Sequence, residues 1–544
     1  MRRISAMCPV FFLFASLACA DERHDHKLSA EELGSVHFSN SCAKNVEATF
    51  NRAVALLHSF QYEQSRLSFE EVSRRDPKCA MAPWGIAMSH YHGLWDNGDT
   101  AAGRAALQRA QELAAADPKT TRRELGYISA LDGIYSDDNQ DRAARAHAFE
   151  QKMGALQAAY PEDSEAAIFH ALAFDVVAAT NPKADKTFAN QRKCGEILEP
   201  LLKKQPHHPG IAHYIIHCYD NPVLAEQGLG AARMYAKIAP ASAHANHMPS
   251  HLFTRVGSWD ESISSNLKSA QLAAAAEATS ANGEARDQRL HAMDYLEYAY
   301  LQSGRVQQAK AVLEQMRSLP PLPGLTLTGD YALAATPARL AVELGSWTEA
   351  SGLKVREEGT PWTQAITWMA IGVGAARGGN LERAAQAEQN LASLRDVTAK
   401  QNNTYWSNQV EVQRREVAAW IEQASGKGPE AIAQLRSAAE LEESMDKHAV
   451  TPGAVTPARE MLAEVLCKQN HPQDALAEYQ AVLKVAPNRF NALYGAASAA
   501  EAAGNTQAAN EYFHKLTQIA VGDERPELAT ARKKLTVTAQ KAAL

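Results

Sequence analysis

Small and apolar residues return along this chain with a fixed period. Near the C-terminus Ala463, Ala475, Tyr479, Val482 and Ala486 recur as Ala497, Ala509, Phe513, Leu516 and Ala520, each 34 positions on. One unit reads as a small-residue helix, a turn (Asn470-His471 or Gly504-Asn505), then a helix with Ala, aromatic and aliphatic residues on one face. Pro487 ends the first copy, since proline cannot continue a helix. The pattern runs upstream through Ser65, Phe69 and Val72 before Asp76-Pro77, and through Cys194, Leu198 and Leu201 before Pro206. Further turns are expected at Gly257, Gly304, Gly345, Gly379 and Gly428. Small anchors at Ser262, Ala309, Ala350, Ala384, Ala431, Ala475 and Ala509 are spaced 47, 41, 34, 47, 44 and 34, so the repeats are irregular. Strand-type alternation is absent. The pattern predicts an all-α chain of about ten to twelve helical pairs from residue 40 to about 535.

A helix–turn–helix unit of 34 residues with these small, aromatic and proline positions resembles the tetratricopeptide repeat (TPR). The resemblance implies an all-α, right-handed solenoid of irregular TPR-like hairpins with a concave groove lined by the first helix of each repeat. It also implies a scaffold that takes a peptide, a protein or a small-molecule ligand in that groove. The segments SCAKNVEATFNRAVALLHSF, DPKCAMAPWGIAMS, HYIIHCYDNP and HANHMPSHLFTRVGSW are similar to a narrower group of exported bacterial TPR proteins. Residues 319–330 (LPPLPGLTLTGD) hold three prolines and two glycines and read as a loop between two solenoid halves, 37–318 and 331–535. Polar tails are expected at 21–36 and 536–544.

Composition narrows the function. Gly and Pro together are about a tenth of 544 residues, which excludes collagen-like and low-complexity chains. With 55 basic against 62 acidic residues the net charge is −7, so nucleic acid is a poor partner. Residues 1–20 read as an export signal: Arg2 and Arg3, an apolar Val10–Leu17, then Ala18-Cys19-Ala20. A lipid anchor at Cys19 is disfavoured by Ser16, where an aliphatic residue belongs. No other apolar run reaches membrane-span length. The expected location is periplasmic or secreted. In such an oxidising space Cys42 can pair with Cys79 and Cys194 with Cys218, the alternative being buried thiols.

Candidate chemistry lies mid-chain. His213 and His217 are four apart, as are His247 and His251, and the second pair is the first moved by 34. Residues four apart share a helix face, so stacked repeats would bring the imidazoles of both pairs to one ion. His244 lies one turn before His247. Aligning Gly257 with Gly304 matches His291 to His244, Asp294 to His247 and Tyr298 to His251. The predicted strip is therefore His213, His217, His244, His247, His251, His291 and Asp294, with Asp220 at its edge.

Trp84, His90, His92 and Trp95 are candidates for the far wall. Nitrogen donors with at most one carboxylate suit zinc or copper rather than magnesium or calcium. Four readings stay open: a metal site on His213, His217, His247 and His251; a ligand groove without metal; a metalloenzyme, either hydrolase or copper oxidoreductase, with Asp294, Asp220 or Tyr298 as catalytic candidates; or a structural polar network. His58 and His170 sit among apolar residues and read as buried, satisfied histidines, and His207-His208 as a polar turn. No G-x-S-x-G elbow or phosphate loop is present.

Overall fold

The computed structural model describes residues 29–542 apart from 96–97, 136–140, 181–184, 279–282 and 321–325, with no side chains described beyond 537. The signal-peptide reading of residues 1–20 lies outside them. No strand occurs among the described residues. Twelve successive helical hairpins run from Glu47–His58 with Tyr62–Arg75 to Phe490–Ala502 with Thr506–Ile519. The fold is an all-α solenoid of irregular TPR-like hairpins. No described helix is long and apolar enough to cross a membrane.

The repeat residues do the packing their types suggest. Ala475 and Ala509 are buried where helices approach closely, and Tyr479 and Phe513 fill the space beside them. Gly257, at φ +69°, turns the chain between two helices, and a Cβ there would lie 2.3 Å from the carbonyl oxygen of Pro487. That contact belongs to a larger closure. The Trp259 indole N–H donates to the Asn488 carbonyl (3.0 Å), the Asn488 amide to the Gly257 carbonyl (3.0 Å), and the Val521 N–H to the Ser303 carbonyl (3.0 Å). Arg489, fully buried, pairs with Glu343 and Glu460. The last repeats thus lie against the turns of the middle ones.

The inside of the coil is not an open groove. Residues 444–457, between the Gly428–Glu443 and Ala458–Lys468 helices, fill it. Val450 is buried, the Tyr295 hydroxyl donates to the Thr451 carbonyl (2.9 Å), and Tyr331 donates to Thr451 Oγ1 (2.7 Å). The Pro209–Cys218 helix is buried along its whole length, packed against Glu47–His58, Ala189–Lys204 and Ala225–Ile238.

Three boundaries differ from expectation. Within 21–36, residues 29–36 are docked: Leu33 packs on Ala55 and Leu56, and the Ser35 N–H donates to the His207 carbonyl (2.9 Å). Within 319–330 the helix Leu327–Glu343 has already begun at Leu327, because Thr328 Oγ1 and the Gly329 N–H both donate to Asp287 and tie that first turn down. At the C-terminus the helix Pro526–Ala542 runs through 536–542.

Disulfides join Cys42 to Cys79 and Cys194 to Cys218, and Cys467 is a half-buried thiol. The second bridge ties the Ala189–Lys204 helix to the end of the helix carrying His213 and His217.

Candidate metal centre

Helix periodicity places His213 and His217 on one face of Pro209–Cys218. Gly210, without a side chain, lets that helix press against His58: a Cβ there would lie 2.6 Å from the His58 ring. His247 ends the Ala243–His247 helix and His251 follows in Pro249–Val256, beyond the break where Pro249 lacks an N–H. His291 is on Glu284–Gln302.

The four paired histidines do not share one ion site. They split into two triads, His213 with His217 and His244, and His247 with His251 and His291, the ligand nitrogens of each within 4.8 Å of one another. Each triad is one paired helix face plus a histidine from further along the chain. The two are neighbours, with the His217 and His251 rings 6.2 Å apart and those of His244 and His247 6.4 Å apart. All six are buried.

The hydrogen-bond partners at Nδ1 fix three tautomers. The His213 Nδ1–H donates to the His58 carbonyl (2.6 Å), which can only accept. The His247 Nδ1–H donates to Asn266 Oδ1 (2.7 Å), the Asn266 amide nitrogen being engaged with the Ser262 carbonyl (2.8 Å). The His251 Nδ1–H donates to the Asp220 carboxylate (2.9 Å). Each Nε2 of these three neutral rings therefore carries a lone pair. The Nε2 atoms of His247 and His251 nonetheless face each other at 3.0 Å. His213 Nε2 is faced by those of both His217 (3.1 Å) and His244 (3.0 Å), and one lone pair accepts along only one of these directions. His291 has no hydrogen-bond partner at either nitrogen among the described residues.

Converging lone pairs repel unless a cation lies between them. A proton is a poor answer here, because burial, and then neighbouring imidazoles, hold His213, His217, His244, His247 and His291 well below the usual histidine range. A metal ion fits: two nitrogens about 2.0–2.1 Å from a tetrahedral ion lie about 3.3 Å apart. The Nδ1 partners are the outer-shell acceptors that orient metal-bound imidazoles.

Asp220 stands outside the triads as the brace of His251. Its carboxylate also pairs with Arg255 (2.8 Å) and Lys447 (3.1 Å), and these cations hold it well below the carboxylate range against burial.

Both triads touch one cavity of about 310 Å³, through His244 and His291. His90, His92 and Trp95 form part of its wall, and Tyr62 stacks on His92 at 4.0 Å. Burial raises Glu284 to about 7 and Asp287 to about 6 on the same lining.

Other sequence candidates lie elsewhere. Trp84 is a core residue among Phe38, Phe69, Tyr127 and Phe169. Asp294 is fully buried on Arg339 (2.7 Å), which also binds Glu297 (2.8 Å). Tyr298 packs on Trp259 and Arg339, two turns beyond His291. Aligning the glycine turns matches Asp294 to His247 and Tyr298 to His251, but Pro249 breaks the helix between His247 and His251, and neither Asp294 nor Tyr298 joins the histidines. His208 is buried rather than in a polar turn, donating to Glu165 (2.9 Å) as His58 does (2.9 Å).

Tyr295 was missed. Its ring packs on His247, His251 and His291 at 4.9, 4.8 and 5.2 Å. The signal was present: His291 and Tyr295 are a third pair four apart, 44 residues after His247 and His251. Phe60, whose ring lies 4.4 Å from His213, was also missed; its φ of +52° is a left-handed conformation unusual for a bulky residue.

No protein-family model matches the chain, and no curated protein matches it in sequence. Among solved structures, similar chains include the human IFIT1 dimer with m7Gppp-AAAA, at 12% identity and TM-score 0.35, covering 91% of this chain and 93% of that one. The human IFIT1 dimer with PPP-AAAA is similar at 12% identity and TM-score 0.33, covering 86% and 90%. Those ligands belong to those proteins.

Proposed function

We propose that this chain is a metal-binding solenoid holding two transition-metal ions side by side, one on each histidine triad, zinc or copper being the ions these donors suit. One observation carries the reading: His247 and His251 aim two ring lone pairs at each other at 3.0 Å inside the protein. The coil interior is filled, so the ligand admitted to the ions is small, sized to the cavity against His244 and His291. Export to an oxidising compartment belongs to the same proposal and is supported by the two cystine bridges.

Metal analysis of protein purified without chelators tests it. Two ions per chain are expected, with one lost in a His213→Ala, His217→Ala variant and the other in a His247→Ala, His251→Ala variant. Metal-free protein that rebinds no zinc or copper, or metal retained in both variants, overturns it in favour of a purely structural polar network.

A second reading, a metal-dependent hydrolase or copper oxidoreductase, is favoured by Glu284 and Asp287, carboxyls poised to exchange protons near neutrality on the cavity shared with His244 and His291. Under this reading Glu284→Gln abolishes turnover of an activated ester, or of a phenol with dioxygen, while leaving both metals bound.

A further inference from the structure

On the far side of the 444–457 segment lies a second cavity of about 600 Å³. One wall is aromatic: the Trp362 and Trp406 rings stack at 3.9 Å and 15°, and Tyr331 lies 6.3 and 6.2 Å from them. The opposite chemistry is unpaired acceptors. Glu416 lines the cavity, is 2% exposed, and has no hydrogen-bond or ion-pair partner among the described residues. Gln413 Oε1, also on the lining, is buried without a donor. Among the described residues, the Glu442 carboxylate accepts only the Ala458 N–H (3.0 Å).

Lys484 on the lining is exposed to solvent, and the other cations there are already committed. Arg255 and Lys447 hold Asp220, Arg459 holds Glu443 and Glu478, and Lys186 donates to the Glu443 carbonyl. What the buried part of the cavity lacks is a free positively charged donor beside aromatic faces. A buried carboxyl without a partner is costly, and native structures rarely retain one without use.

We propose that this cavity binds an organic ammonium ion with an apolar body, its N–H groups donating to Glu416, Gln413 and Glu442 and its body lying against Trp406 and Trp362. Aromatic faces attract such a cation, and three acceptors suit the three N–H groups of a primary amine. Burial favours the neutral form of both carboxyls, Glu442 being raised to about 7. Seating an ammonium ion therefore expels a proton to solvent.

Titration calorimetry with 2-phenylethylamine and its neutral analogue 2-phenylethanol tests this, on protein held in EDTA so that no metal can take the amine. The amine is expected to bind at least tenfold tighter than the alcohol at pH 6. Its apparent enthalpy should change between phosphate and imidazole buffers, as proton release requires. Glu416→Gln should lose at least tenfold of amine affinity and leave alcohol affinity unchanged. That variant removes an uncompensated buried acid, so it should fold at least as well as the parent. Equal affinity for amine and alcohol, no binding of either at millimolar concentration, or undiminished amine binding by Glu416→Gln overturns the proposal. Because the assay is metal-free, its failure leaves the metal reading untouched.

Discussion

Replacing Asn266 by leucine removes one oxygen and should weaken one metal site while sparing its neighbour. Asn266 is fully buried, and its Oδ1 accepts from His247 Nδ1 (2.7 Å) and Ser250 Oγ (3.3 Å). Leucine fills a similar volume but accepts nothing. The His247 proton is then free to move to Nε2, the atom that must be bare to bind metal. Outer-shell losses of this kind cost about 10–100-fold in metal affinity, or about 1.4–2.8 kcal/mol. The metal-free protein should lose about 1–3 kcal/mol from the unsatisfied donor. Asn266→Asp works in the other direction, since a charged acceptor makes His247 a better base. Competition with a chromophoric chelator of known affinity reads both sites in one titration, and the His213 triad serves as the internal reference. Equal weakening of both sites would show a loosened fold rather than a lost acceptor, and no weakening of either would refute the tautomer argument.

Two further outcomes follow from burial and connectivity. Burial, with Asp220 nearby, raises Asp175 from 3.8 to about 7. The folded chain thus holds a proton that the unfolded chain releases, and stability falls as pH rises from about 4 to about 7. Asp175→Asn should therefore raise stability at pH 8 by up to about 4 kcal/mol and change little at pH 4, in denaturant melts at both pH values; an equal gain at both would contradict the shift. Removing the Cys194–Cys218 bridge, 24 residues apart, with paired serines should cost about 3.5 kcal/mol on chain-entropy grounds. Because Cys218 adjoins His217, metal on the first triad should weaken with it; an unchanged unfolding midpoint would count against that estimate.

The solenoid was legible because its signal is local. Alanines, aromatics and turn glycines repeat within each hairpin and report contacts between adjacent helices. The histidine pairs were legible for the same reason, being four residues apart within one helical stretch, although Pro249 breaks the second. How they group was not. Whether His244 joins His213 or stays with His247 depends on the angle at which helices cross and on the Pro249 break, and a linear alignment carries neither. Tyr295 was hidden by anchoring that alignment on glycine turns, which displaced the pairing by three residues. The filling of the groove was invisible, since Lys447 and Asp220 meet across 227 positions. Neither was the aromatic wall of the second cavity apparent, because Trp362 and Trp406 come together from different repeats.

The closure at Gly257, Asn488 and Ser303 changes what kind of polymer this is. An open array of repeats melts piecemeal and tolerates losing or gaining a unit, because each hairpin answers only to its neighbours. Here residues about 230 positions apart bond to one another. Deleting one hairpin between them would misalign every clasp at once. Such a chain should unravel as a single body and hold its hairpin number fixed, while surface loops remain free to vary.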